Sequence, residues 1–141
     1  MKLDQIKIVK KTWRKLMMVD PVLVADLFYT KLFNENPGIR KLFPKDMTAQ
    51  YEKLTNMLTS IITSLEHLDE MKTEIKEMAV RHVSYHVKPE HYNLVGATLL
   101  WTLEKGLGND WNEEVKEAWL SCYTALAQMM LKEHQTEEKP N

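Results

Sequence analysis

Met71, Ile75, Met78 and Ala79 recur at helical spacing, and the next inward slot of that stripe holds a histidine, His82. An imidazole turned toward a core must find partners for both ring nitrogens. The chain that folds around this stripe therefore has to supply them, either from its own backbone or from something it binds. Ten residues later, after a restart at Pro89, Tyr92 heads a further apolar helical pattern.

The remaining helices are read from proline and cap signals. Asp4 is a candidate cap for a first helix with the stripe Ile6, Val9, Trp13, Leu16 and Met17. Asp20-Pro21 opens a second helix, carrying Ala25, Tyr29, Leu32 and Phe33 on one line with Val24, Leu27 and Phe28 beside it. Asn36-Pro37 repeats the signal for a short third helix. That helix has to stop at Phe43-Pro44, because the residue before proline is driven out of helical angles. Thr48 is a candidate cap for a fourth helix with the stripe Gln50, Leu54, Leu58, Ile61, Ile62 and Leu65. A turn is expected around His67–Asp69, then the helix ending on His82. A sixth helix carries Tyr92, Val95, Gly96, Leu99, Leu103 and Leu107, and Gly108-Asn109-Asp110 forms the next turn. Asn112 is the candidate cap of a last helix bearing Val115, Trp119, Cys122, Leu126, Met129 and Met130. No strand alternation, repeat or linker interrupts this pattern. The expected fold is all-α, one domain over 1–134 and a polar tail over 135–141.

Composition narrows the function. A chain of 141 residues buries about 70% of its unfolded surface, enough for a core and one internal ligand. Lys+Arg 19 against Asp+Glu 20 gives no basic footprint for nucleic acid or an anionic membrane. The single cysteine, Cys122, excludes an internal disulfide, a cysteine-based zinc cluster and covalent c-type haem attachment. No signal-peptide core or membrane-length apolar run is present, so a soluble cytoplasmic protein is expected.

His82 is open to two readings from the residues alone: a core histidine bonded to a backbone carbonyl, or an iron ligand of the kind that holds haem. A zinc alternative pairs His82 with His86 at i, i+4, but the intervening residues are not those of an H-E-x-x-H site and no third ligand is evident. Tyr29 and Gln50 are polar groups at inward positions of two different helices. Each is explained by ordinary packing at a helix boundary; together, a phenol and an amide facing one cavity are donors for a diatomic ligand. Paired carboxylates, a phosphate-binding glycine loop and a serine nucleophile elbow are all missing.

Three stretches carry a resemblance: FYTKLFNENPGIRKLF at 28–43, Gln50 four residues before Leu54, and RHVSYHVKPEHYNLVG at 81–96, followed by Trp119 and Tyr123. They resemble the globins over about residues 3–133, and in particular single-domain bacterial globins and the globin module of flavohaemoglobins. The resemblance implies seven to eight helices around a non-covalent haem b, with His82 as proximal ligand. It implies that Phe43 packs on the porphyrin, that Tyr29 is the main donor to bound oxygen with Gln50 second, and that Leu54 walls the pocket. It further implies a haem propionate near Arg81, and Tyr92 hydrogen-bonded behind the proximal histidine.

In the flavohaemoglobins a glutamate of the last helix joins that tyrosine. Here His134 stands at the aligned position and Glu133 one residue early, about 100° of helix rotation away, which leaves open which of them partners Tyr92. The chain also stops where a flavohaemoglobin continues into its reductase, so turnover is expected to need a separate electron donor. The implied function is reversible binding of O2, with NO and CO as further ligands, in oxygen transport or storage, by a monomer or weak homodimer. The alternatives are NO dioxygenation or peroxidase-like activity with an external reductase, and a haem-free globin-like signalling or interaction module.

Overall fold

The computed structural model describes residues 1–84 and 87–138, the side chains of 133–138 excepted. Among the described residues the chain is helical and carries no strand. The order is α1 (Leu3–Val19), α2 (Pro21–Glu35), a 3-10 segment (Pro37–Leu42), α3 (Thr48–Thr63), a second 3-10 segment (Leu65–Met71), α4 (Lys72–Ser84), α5 (His91–Leu107), a 3-10 turn (Gly108–Asp110) and α6 (Glu113–Glu138). None of these helices is long and apolar enough to cross a membrane.

Two start signals act as read. Asp20 Oδ1 accepts the backbone N–H of Val22 and Leu23, with Pro21 at the first helical position of α2. Asn112 Oδ1 accepts the N–H of Val115 at 2.9 Å and caps α6. Two others shift. The cap of α1 is Lys2, not Asp4: Gln5 reaches back to accept the Lys2 N–H at 3.2 Å, and the helix starts two residues earlier. Thr48 is the first residue of α3 rather than its cap; its N–H goes to Asp46 Oδ1 at 3.0 Å. The expected turn at His67–Asp69 is part of the second 3-10 segment, where His67 alone leaves helical angles (φ −129°, ψ 42°). Gly108, at φ 54°, takes the left-handed turn that ends α5. The helix α6 continues through the expected start of the polar tail at 135; residues 139–141 lie outside the described residues.

The stripes converge on two adjoining clusters. The larger gathers Ile6, Val9, Trp13 and Leu16 of α1, Phe28, Tyr29 and Leu32 of α2, Leu58 and Ile62 of α3, Leu99 and Leu103 of α5, and Trp119 of α6. Its buried indoles are tied down by threonines: Trp119 Nε1 donates to Thr12 Oγ1 and Trp13 Nε1 donates to Thr59 Oγ1, both at 2.9 Å. The smaller cluster joins α4 to α6 through Ile75, Met78, Ala79, Leu126, Ala127 and Met130, with Tyr92 and Ile61. Thus α3 packs against α2, whereas α4 packs against α6. The inward faces of α3 and α4, which carry Gln50 and His82, are held by different partners.

Candidate functional site

On α4 the stripe ends as the sequence predicts, with His82 half-buried one turn beyond the buried Met78 and Ala79. Its Nδ1 lies 2.7 Å from the carbonyl oxygen of Met78. A carbonyl only accepts, so Nδ1 carries a proton and donates. This satisfies the first reading of His82, a core histidine bonded to backbone. It is equally the arrangement that orients a metal-ligating histidine, because the second bond fixes the tautomer and the ring plane.

Tyr29 of α2 and Gln50 of α3 meet, on elements that pack apart from α4. Gln50 Nε2 donates to Tyr29 Oη at 3.2 Å. The tyrosine therefore accepts from Gln50, and its own hydroxyl proton is not spent on that bond. Tyr29 is only 4% exposed, and burial pushes its phenol up to about 12. It remains a protonated donor at any ordinary pH.

The ring of Tyr29 is set in aromatic side chains. Tyr51 and Phe33 lie nearly parallel to it at 5.8 and 5.7 Å, at 22° and 30°, while Phe43 meets it edge-on at 5.4 Å and Phe28 at 5.0 Å. Phe43 thus packs, as its place beside Pro44 suggests, and Leu54 packs at the edge of the same cluster. Three further residues of this corner escape a reading based on helical stripes. Tyr51 stacks on Tyr29, and its hydroxyl donates to Asp26 Oδ1 at 2.9 Å. Arg40 sits over the Phe33 ring at 5.1 Å, and its guanidinium donates to the carbonyls of Phe43, Pro44 and Lys45 at 3.2, 2.9 and 3.0 Å. One side chain thereby fixes the irregular corner that carries Phe43. The available signal was an arginine three residues before an X-Pro corner, where carbonyls are left without helical partners.

Arg81 is exposed. Tyr92 is buried at the head of α5, where Tyr123 Oη donates to its backbone carbonyl at 2.5 Å. Burial pushes the Tyr92 phenol up to about 12 and the Tyr123 phenol higher still. Gly96 makes this approach possible, since a Cβ there would stand 2.6 Å from Tyr123 Cε2. The side chains of Glu133 and His134, between which the partner of Tyr92 was left open, lie outside the described residues, as does His86 of the zinc alternative. Among the described residues no three His, Cys, Asp or Glu side chains gather as a metal site.

The donor set fits a haem. His82, its ring oriented through Nδ1, is the residue that would hold a haem iron, and the haem would supply the site for a gaseous ligand. Buried Tyr29 and half-buried Gln50 are neutral donors set among aromatic rings.

Comparison with known proteins points the same way. The sequence profile described as Globin matches residues 26–130. The chain is 33% identical over 128 residues to an uncharacterized globin-like protein of Aquifex aeolicus, covering 91% of this chain and 90% of that one. It is 28% identical over 131 residues to a flavohemoprotein of Vibrio cholerae, covering 91% of this chain but only 33% of the relative, so it spans about a third of that protein's length. The fold superposes on a bacterial globin from Campylobacter jejuni with a TM-score of 0.85, at 25% identity, over 98% of this chain and all of the other. With this helix order, this histidine on α4 and these matches, the chain belongs to the globin family.

Proposed function

We propose that this globin holds haem b non-covalently through His82 and takes up O2 and NO reversibly on the side walled by Tyr29 and Gln50. Membership of the family implies the haem. The haem would supply the iron at which a diatomic gas binds; the chain's residues orient it, exclude water and supply donors. His82 is the protein ligand, kept in the right tautomer by Met78. Phe43 and Leu54 supply apolar wall, and exposed Arg81 is a cation suited to a propionate.

The observation that carries the reading is the Gln50–Tyr29 hydrogen bond. It turns two polar side chains toward each other inside an apolar cluster and leaves the tyrosine proton to donate. Buried donors of this kind, when not needed for folding, are there for a ligand. The relation to flavohaemoproteins favours a second reading, in which NO and O2 are converted to nitrate; electrons would then come from a separate reductase.

Haemin titration tests the proposal. The expected result is a Soret band saturating at one equivalent, with the ferrous protein cycling between oxygenated and deoxygenated spectra under air and argon. His82→Ala should lose the ligated spectrum. A protein that takes up no haemin, or a His82→Ala variant with an unchanged ferrous spectrum, would overturn it.

A further inference from the structure

We infer that Tyr51 is a positioning residue for the donor pair, acting through a clamp to Asp26; this rests on the reading of Tyr29 and Gln50 given above. Two hydrogen bonds join the start of α3 to α2. One is the Gln50–Tyr29 bond at 3.2 Å, between neutral groups. The other is the Tyr51–Asp26 bond at 2.9 Å, from a phenol to a carboxylate. They are one residue apart on α3 and less than one turn apart on α2. Hydrogen bonds to an ionised partner are shorter and roughly twice as strong as neutral ones. The stronger bond therefore sets where the weaker one can form.

The start of α3 follows the irregular corner 43–47; Asp46 accepts the Thr48 N–H there, but neither it nor Met47 at the cap position ties α3 to α2. The ring of Tyr51 also stacks on Tyr29, nearly parallel at 5.8 Å. Tyr51 thus fixes the phenol of Tyr29 by stacking and the amide of Gln50 by holding the helical turn that carries it. It is half-buried and Asp26 is exposed, so the clamp lies at the rim of the cluster rather than within it. Asp26 Oδ1 is further held by Thr30 Oγ1 at 3.5 Å.

The test uses the haem-loaded protein and five substitutions. Tyr51→Phe keeps the stacked ring and removes the clamp. It should raise the O2 off-rate about two- to tenfold. It should also move the C–O stretch of the CO complex to higher frequency, as donors withdraw from the ligand. Asp26→Asn keeps an acceptor oxygen but not its charge and should fall between the parent and Tyr51→Phe, whereas Asp26→Leu should reproduce Tyr51→Phe. In a Gln50→Leu background Tyr51→Phe should change neither quantity, because the group it positions is gone. Amide exchange at residues 49–52 of the haem-loaded Tyr51→Phe protein should be faster than in the parent. The inference is overturned if haem binds normally and Tyr29→Phe speeds release while Tyr51→Phe leaves off-rate, stretch and exchange unchanged. It is also overturned if Tyr51→Phe acts equally in the Gln50→Leu background. Failure of the parent to take up haemin would instead sink the reading on which it rests.

Discussion

Replacing Gly96 by alanine should destabilise the protein, although alanine is the better helix former. The added Cβ would stand 2.6, 3.0 and 3.2 Å from Cε2, Cδ2 and Cζ of Tyr123. Ordinary carbon contacts are about 3.5–4.0 Å, so the ring must retreat by roughly 1 Å. It is not free to do so, because its hydroxyl is anchored to the Tyr92 carbonyl at 2.5 Å. Overpacking of this kind costs about 1–3 kcal/mol. Loss of the hydrogen bond adds about 1 kcal/mol, and the gain in helix propensity returns about 1 kcal/mol. The net loss is about 1–3 kcal/mol, a fall in Tm of roughly 3–10 °C for a domain of this size. Thermal unfolding followed by circular dichroism, on haem-free protein, measures it without a contribution from ligand binding. Tyr123→Leu in the same protein should remove most of the cost of the alanine, giving a coupling of about 1 kcal/mol or more between the two positions. A Gly96→Ala variant as stable as the parent, or one whose cost is unchanged in the Tyr123→Leu background, would refute the close-approach argument.

Tyr29→Phe should speed O2 release from the haem-loaded protein by about tenfold or more, since a strong hydrogen bond to the bound ligand contributes about 1.5–3 kcal/mol; stopped-flow displacement of O2 by CO reads this, and an unchanged off-rate removes Tyr29 as donor. The buried phenols make a prediction about alkaline stability. Tyr29 and Tyr92 are raised from 10.0 to about 12 and Tyr123 is raised as well, so above pH 10 the unfolded chain releases protons that the folded one keeps. The unfolded state then binds fewer protons, and stability must fall with rising pH. The contribution is complete below pH 10 and is lost between about pH 10 and 12. Urea midpoints at pH 8, 10 and 11 test it; a midpoint that is flat to pH 11 would contradict the burial of these hydroxyls.

Helix positions and inward faces were largely legible because they rest on local chemistry. A stripe at 3.6-residue spacing identifies the side of a helix that leaves water. Asp20-Pro21 and Asn112 act within a few residues of themselves, so their capping bonds form as read. Where the expectation slipped, at Asp4 and Thr48, a neighbour one or two residues away starts the helix earlier: Gln5 accepts the Lys2 N–H and Asp46 accepts the N–H of Thr48. Tyr51, Arg40 and Asp26 were missed for a different reason. They lie off the buried stripes, and their roles exist only once α2, the 3-10 segment and α3 are brought together.

The sequence by itself determined that the chain is helical throughout, that His82 ends an inward stripe and that Tyr29 and Gln50 point inward from separate helices. Those are properties of single elements, fixed by spacing of apolar residues and by the conformational limits of proline. Only the tertiary structure decided that Gln50 donates to Tyr29 rather than the reverse, that His82 gives its Nδ1 proton to Met78, and that Tyr123 closes over Gly96 to reach Tyr92. Each of these depends on distances of a few tenths of an ångström between side chains and partners on a different helix or one turn away. A hydrogen bond is made or lost over that range, and periodicity in the sequence carries no information about it.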